Sequence, residues 1–203
     1  MFEFAEYIGI VAFAISGFLV ASRNYLDYLG IFIASFLTAL GGGIIRDMII
    51  GRLPFSFTHT IPGVLVLLVF VAMLFFRLHK FSSIESKPLF IISDSIGLVS
   101  FSITGALIAL EYKLNFTGVL ALSFITAVGG GITRDVIINE VPFVFKTGFY
   151  GTVALLIGLI LYVCEHFMKL NFFILSFVLI FGVFLRLLAY YKKWNIPTLK
   201  DRY

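Results

Sequence analysis

The sequence predicts an all-α integral membrane protein with seven transmembrane helices, arranged as an inverted three-plus-three repeat followed by a seventh helix. Three observations lead to this fold class. Charged residues are too few for a soluble fold, apolar segments of membrane-spanning length fill the chain, and one unusual stretch occurs twice.

The composition places lipid, rather than water, around most of the chain. Of 203 residues, 61% are hydrophobic and only 13% are charged, whereas soluble domains carry about 25% charged residues. So few charges could not cover the outside of a soluble fold, and the run at 64–76 has no polar face. We therefore expect residues 1–203 to form a single membrane domain.

Polar or proline-containing breaks divide the chain into seven apolar segments. A bilayer core of about 30 Å needs about 20 mostly apolar residues per helix, and the segments have roughly this length. The predicted spans are approximately 5–22, 29–50, 60–78, 89–110, 117–138, 148–166 and 171–192.

The basic residues of the connecting loops predict the orientation. One side receives nine of them and the other three. Because basic residues are concentrated in cytoplasmic loops, we expect an inner (cell) membrane protein with the N-terminus outside and the C-terminus in the cytoplasm. The nine are Arg23, Arg77, Lys80, Lys87, Lys146, Lys192, Lys193, Lys200 and Arg202, and the three are Arg52, Lys113 and Lys169. This distribution favours membrane topology over a nucleic-acid-binding face.

An internal repeat has a period of 88 residues. Residues 6–63 align with 94–151 without a gap, so repeat 1 covers about 5–80 and repeat 2 about 89–167, with helix 171–192 unpaired. Each repeat contains three spans, an odd number, so the second copy should enter the membrane inverted. Inverted repeats are typical of proteins that pass solutes across bilayers near the repeat interface.

The most distinctive stretch within the repeat is T-A-L-G-G-G-I-I-R-D-M-I-I-G-R-L-P, which recurs as T-A-V-G-G-G-I-T-R-D-V-I-I-N-E-V-P. Each glycine costs about 1 kcal/mol relative to alanine inside a helix. We therefore predict that the second and fifth spans are kinked or broken there, with freed carbonyls lining a path. The alternative is that the glycines only allow close helix packing. These glycines are Gly41, Gly42, Gly43, Gly129, Gly130 and Gly131.

Charges follow both glycine runs inside otherwise apolar spans, where ionised side chains usually face an interior or a water-filled pathway. Residues at i and i+1 diverge on a helix. The hypothesis is therefore that Arg46 pairs with Asp135, and Arg134 with Asp47, across the two repeats. The alternative is that such pairs only lock the repeats together.

Hydroxyls and small residues complete a polar seam on the spans of both repeats. Ser16 and Thr104 occur at helical spacing from the phenylalanines Phe13 and Phe101, which we predict to gate the path. Thr38 and Thr126 precede the glycines, where a hydroxyl can bond back to a carbonyl. With Asp47 and Asp135 they make up the predicted ion pathway, and helix packing is again the alternative.

The sequence contains no Ser-His-Asp set, metal cluster or phosphate loop. We therefore expect no enzymatic activity, no cofactor and no metal other than permeating monovalent cations.

The doubled motif G-G-G-I-x-R-D-x-I-I-x-x-x-P-F, on an inverted three-helix repeat with a seventh helix, resembles the prokaryotic trimeric intracellular cation (TRIC) channel family. The same group has been labelled a glycine-transporter domain family. The resemblance implies a homotrimer with one pore per subunit, conducting chiefly potassium. The family's kinked second and fifth helices match residues 29–50 and 117–138. Its animal members carry a lysine-containing motif where this chain has Arg-Asp.

Two functions are therefore weighed. The first is a monovalent cation channel for potassium, and also sodium, surrounded by membrane lipid. Carbonyls and hydroxyls would replace part of the ion's hydration shell. The second is a carrier of glycine or a similar small amino acid, whose carboxylate would bind at helix N-termini. A structural membrane protein without a solute path is the third alternative.

Overall fold

The described part of the protein is built from seven long helices and two single-turn helices. The computed structural model describes residues 2–77, 88–146 and 149–194. The long helices are α1 (Phe2–Arg23), α2 (Tyr28–Ile49), α4 (Thr60–Phe75), α5 (Pro88–Glu111), α6 (Phe116–Ile137), α8 (Tyr150–Phe167) and α9 (Phe172–Tyr191); the short ones are α3 (Phe55–Thr58) and α7 (Phe143–Lys146).

Six of the long helices are long and apolar enough to cross a membrane, and α4, with 16 residues, is a shorter apolar helix. The all-α membrane fold is thus confirmed, and the predicted spans agree with the helices to within a few residues. The predicted ends at residues 78 and 148 lie outside the described residues. So do the loop residues Lys80, Lys87, Lys200 and Arg202.

Helix boundaries repeat from one half of the chain to the other. Asp27 caps α2 by accepting a hydrogen bond from the backbone N–H of Gly30, and Asn115 caps α6 through Gly118 in the same way. Such caps satisfy backbone donors that a helix N-terminus leaves unpaired.

Helix α1 packs against α5, and α2 against α6, at the centre of the molecule. Side chains of α1 meet those of α5 in opposite chain order, since Ser16 hydrogen-bonds Asp94 whereas Phe13 stacks on Phe101. The two helices are therefore antiparallel, as an inverted repeat requires. Helix α9 docks on α5 and α8.

The predicted break at the glycine runs is wrong. Helices α2 and α6 are continuous through all six glycines. Backbone hydrogen bonds of the helix are retained there because the glycines are held between neighbouring helices, which supply the packing that offsets their low helix propensity.

Candidate functional site

Two clusters of buried charge lie between the repeats. The first, called here the Arg46 cluster, consists of Glu6, Arg46, Asp47, Arg52 and Thr104. The Arg46 side chain is fully buried. Its Nη1 and Nη2 donate to the two carboxylate oxygens of Glu6 at 2.7 and 3.1 Å, and its Nε donates to Asp47 Oδ1 at 2.7 Å. This forked arrangement is the geometry in which arginine binds carboxylates most strongly.

Asp47 is held from three directions. Besides Arg46, its Oδ2 accepts the backbone N–H of Phe55, the first residue of α3, at 2.8 Å, and Arg52 Nη2 lies 2.9 Å from its Oδ1. The cluster thus balances two carboxylates against two guanidinium groups, as buried charges require.

The second cluster, called here the Arg134 cluster, consists of Ser16, Asp94, Arg134, Asp135 and Tyr150. Arg134 Nε donates to Asp135 Oδ1 at 2.8 Å, and Nη1 donates to Ser16 Oγ at 2.9 Å. Asp94 Oδ1 lies 3.8 Å from Arg134 Nη1 and accepts from Ser16 Oγ at 3.3 Å. The Tyr150 hydroxyl also donates to the Asp94 carboxylate. Arg134 is therefore joined to α5 chiefly through the Ser16 hydroxyl.

The predicted ion pairs between repeats are contradicted by these contacts. Arg46 pairs with Asp47 and Glu6 rather than Asp135, and Arg134 pairs with Asp135 rather than Asp47. The physical reason is the inversion itself. Glu6 and Ser16, which bind the two arginines, are ten residues apart on α1, about 15 Å at 1.5 Å per residue. The arginines consequently lie near opposite ends of the helices.

The link between the repeats is made by hydroxyls. Arg46 Nη1 donates to Thr104 Oγ1 of α5 at 3.2 Å, and Arg134 Nη1 donates to Ser16 of α1. Each arginine therefore bonds a carboxylate of its own repeat and a hydroxyl of the other. The structure thus brings two predicted site residues, Ser16 and Thr104, into contact with the arginines. The carboxylates that bond the arginines are not the ones predicted for them.

The glycine runs mark the crossing of α2 and α6. A Cβ on Gly42 would overlap the carbonyl oxygen of Thr126, and a Cβ on Gly130 would overlap that of Thr38. Only glycine permits this approach of one backbone to another. Gly41 and Gly131, by contrast, would place a Cβ at ordinary contact distances of 3.6 and 3.9 Å. The alternative interpretation of the glycines, close packing, is therefore the one the contacts support.

The predicted back-bonding of the threonines is observed. Thr38 Oγ1 donates to the carbonyl of Ala34, and Thr126 Oγ1 to that of Leu122, both at 2.6 Å. Both threonines are fully buried. In this conformation their hydroxyls are therefore satisfied within their own helices.

Phe13 and Phe101 lie between the two clusters. Their rings stack with centroids 5.3 Å apart and an interplanar angle of 26°. Each ring also lies against a glycine of the other repeat, Phe13 against Gly97 and Phe101 against Gly9. Since both side chains are buried, the seam is closed at this layer.

Sequence reasoning missed several members of the site. Glu6 and Asp94 were not identified as partners of the two arginines. Phe2 lies 5.0 Å from the Arg46 guanidinium and Phe90 lies 5.8 Å from that of Arg134. The signal was available, because Phe2 and Phe90 are also 88 residues apart.

Within the described ranges, no group of three or more His, Cys, Asp or Glu side chains could hold a metal ion. The arrangement is instead that of a closed polar seam. Two balanced charge clusters flank an aromatic layer, inside a bundle of membrane-spanning helices.

A fold of this kind, with antiparallel halves and charges buried between them, is typical of multi-pass membrane proteins that conduct solutes. Comparison with known proteins gives the family. A family model described as "Glycine transporter" matches residues 3–80 and 91–166. The UPF0126 membrane protein YvgT of Bacillus subtilis is 33% identical over 97% of this chain and 95% of its own length.

Solved structures agree with this assignment. One, described as the structural basis for conductance through TRIC cation channels, has a TM-score of 0.85 and 34% identity, covering 98% of this chain and 97% of that one. The TRIC trimeric intracellular cation channel orthologue from Rhodobacter sphaeroides has a TM-score of 0.83 and 28% identity, covering 93% and 96%. The chain belongs to the prokaryotic TRIC channel family, and its structural neighbours support a cation channel.

Proposed function

We propose that this chain is a monovalent cation channel, conducting potassium and also sodium, with a path through each subunit between its two repeats. The observation that carries the proposal is the layered seam. Charge clusters about 15 Å apart flank the Phe13–Phe101 stack, and all three layers lie between α1, α2, α5 and α6. Buried ionisable groups inside a membrane bundle usually mark an ion or substrate path.

Carboxylates and hydroxyls are the groups that would replace water around a passing cation. Glu6 with Thr104, and Asp94 with Ser16, each present such a pair to an arginine nitrogen. Asp47 and Asp135 also accept backbone N–H bonds from α3 and α7. We therefore assign Asp47 and Asp135 to holding the arginines, and the pairs that include Glu6 and Asp94 to the ion path.

The conformation described here is a closed one under this proposal. Opening would separate the stacked phenylalanines and shift the arginines from the seam. Phe13→Ala should therefore raise the open probability. Phe177→Ala is the matched control, because that ring is 68% exposed on the outer face of α9 and the substitution should leave the currents unchanged.

The second candidate is a carrier of glycine or a similar small amino acid, and the description of the matching family model favours it. A carrier would need an amino-acid site with saturable uptake. A channel needs only a continuous path. The two functions are therefore separable by flux measurements on the same preparation.

Purified protein should be recorded in planar bilayers with potassium on both sides and, in parallel, tested for labelled glycine uptake into vesicles. Step currents that reverse near the potassium equilibrium potential in a gradient support the channel. Saturable glycine uptake without step currents would overturn it in favour of the carrier. If folded protein shows neither step currents nor glycine uptake, the alternative of a structural membrane protein without a solute path remains.

The assembly is proposed to be a homotrimer, a state supported by the family's name. Native mass spectrometry in detergent should give three times the 22.7 kDa chain mass. The proposed orientation, N-terminus outside and C-terminus cytoplasmic in the inner membrane, predicts that a C-terminal green fluorescent protein fusion fluoresces. A C-terminal alkaline phosphatase fusion should be inactive, and an active one would reverse the assignment.

A further inference from the structure

The unpaired helix α9 brings one buried cation to the Arg134 cluster. Arg186 is only 2% exposed. Its guanidinium carbon lies 4.9 Å from the ring centroid of Tyr150 and within 6 Å of the ring of Phe143. Its Nε has no hydrogen-bond partner among the described residues. Aromatic faces therefore contribute to holding this side chain.

The repeat explains why a cation is needed at this place. In the first half, Arg52 is the second guanidinium of the Arg46 cluster. The equivalent position in the second half, 88 residues on, is Glu140, which pairs with Lys146 at 3.5 Å. Repeat 2 therefore lacks the second arginine that repeat 1 provides.

Without α9 the Arg134 cluster would carry unbalanced charge. Asp94 and Asp135 would face Arg134 alone, leaving one carboxylate in excess in a buried setting, which is strongly unfavourable. Arg186 restores two against two. It interacts electrostatically with Asp94, and the Tyr150 hydroxyl, on the ring over which Arg186 lies, donates to the Asp94 carboxylate.

We propose that Arg186 is the counter-charge and positioning residue of the Arg134 cluster: acting through Tyr150, it fixes the Asp94 carboxylate in the seam. Repeat 1 balances the charge of its cluster with its own residue Arg52. Repeat 2 depends instead on Arg186 of helix α9. The proposal deepens the proposed function, because Asp94 is one of the carboxylates assigned to the ion path. The pairing itself does not depend on what the path conducts.

The first test is a double-mutant cycle that requires no transport. Thermal unfolding of the detergent-solubilised protein is compared for the wild type, Arg186→Gln, Asp94→Asn and the double variant. Removing both charges together should restore the charge balance. The double variant should therefore lose less stability than the two single variants lose in sum, by on the order of tenfold in the unfolding equilibrium constant. Additive effects would overturn the proposal.

A matched cycle between Arg52 and Asp94 serves as the control, since these residues belong to different clusters and should act additively. If Arg186→Gln alone yields no folded protein, the added Asp94→Asn must restore folding. A double variant that also fails would contradict the charge balance. Tyr150→Phe, which keeps the ring and removes the hydroxyl, should reduce the coupling between Arg186 and Asp94.

The second test separates positioning from a merely structural role. Arg186→Lys keeps the charge and should preserve the cation-to-chloride permeability ratio. Arg186→Gln leaves one negative charge in excess and should raise the ratio severalfold, and adding Asp94→Asn should reverse the rise. An unchanged ratio in Arg186→Gln would refute the positioning role. If no variant conducts while the coupling is intact, the channel function fails and the charge pairing stands.

Discussion

Alanine substitutions in the glycine runs should reveal the crossing of α2 and α6. Gly42→Ala would drive a methyl group into the Thr126 carbonyl, and Gly130→Ala would do the same at Thr38. Both obstructing atoms belong to backbone within a continuous helix, so a side-chain movement cannot relieve the overlap. The two helices must separate at the point where they are closest.

The size of the effect follows from a comparison within each run. Overpacking of this kind costs about 1–3 kcal/mol, while any Gly→Ala change inside a helix gains about 1 kcal/mol in helix propensity. Gly41→Ala and Gly131→Ala receive the same gain without the overlap, because their Cβ atoms would be at 3.6 and 3.9 Å from the nearest atoms. The difference in stability between the alanine variants of neighbouring glycines therefore measures the cost of the overlap at the helix crossing.

Thermal unfolding of the four purified variants in detergent measures this difference. On the scale for chains of 150–250 residues, 1 kcal/mol corresponds to about 2–4 °C. Gly42→Ala and Gly130→Ala should thus unfold at least about 2 °C below Gly41→Ala and Gly131→Ala. Gly63→Ala, whose Cβ would meet nothing within 4 Å, is the control for propensity alone. Equal midpoints in all four variants would refute the packing argument and revive the broken helix.

Two further predictions concern the helix ends and the first charge cluster. Asp27→Ala and Asn115→Ala should each lower stability by about 1 kcal/mol, since each removes an N-cap; additive losses in the double variant are the check. Glu6→Gln should lower the free energy of unfolding by up to about 3–5 kcal/mol. Asp94→Asn should lower it less, because Glu6 bonds Arg46 at 2.7 Å whereas Asp94 lies 3.8 Å from Arg134. Similar unfolding midpoints for these two variants would contradict the stated difference in pairing.

The membrane helices were predictable because lipid imposes a simple rule on sequence. Each span must satisfy its own backbone and present an apolar surface, so composition and length locate it to within a few residues. The turns between elements were less accessible. The single-turn helices after Pro54 and Pro142 are too short for a hydrophobic period, although each donates a backbone N–H to an aspartate, Asp47 or Asp135.

The charge pairing could not be derived from the residue types alone. Two arginines and two aspartates at symmetric positions allow pairing within or between repeats. The choice depends on how far apart the inverted helices place them. The sequence did contain a further constraint, because Glu6 and Asp94 occupy equivalent places 88 residues apart. Any acid on a facing span competes with the aspartate of the other repeat.

The role of Arg186 was invisible for a different reason. An arginine near the end of a membrane span usually extends its side chain toward the interface. Only the docking of α9 against α5 and α8 shows that the guanidinium instead enters a pocket of aromatic rings. A helix outside the repeat has no internal counterpart to compare with, so repetition gave no information about it.

The two halves agree in the backbone features around the glycine crossing and differ in the side chains that carry charge. Left-handed residues follow α2 at Gly51 and α6 at Asn139, and the glycine crossings are reciprocal. Yet Glu6 bonds Arg46 with both carboxylate oxygens. Asp94, whose side chain is one methylene shorter, is linked to Arg134 mainly through the Ser16 hydroxyl. A guanidinium that bonds a carboxylate with two parallel hydrogen bonds is held more strongly than one that bonds a hydroxyl. The contacts between helices are therefore weaker at the Arg134 end of the seam. A movement that opens the seam should therefore begin at the Arg134 end, where α9 adds its charge.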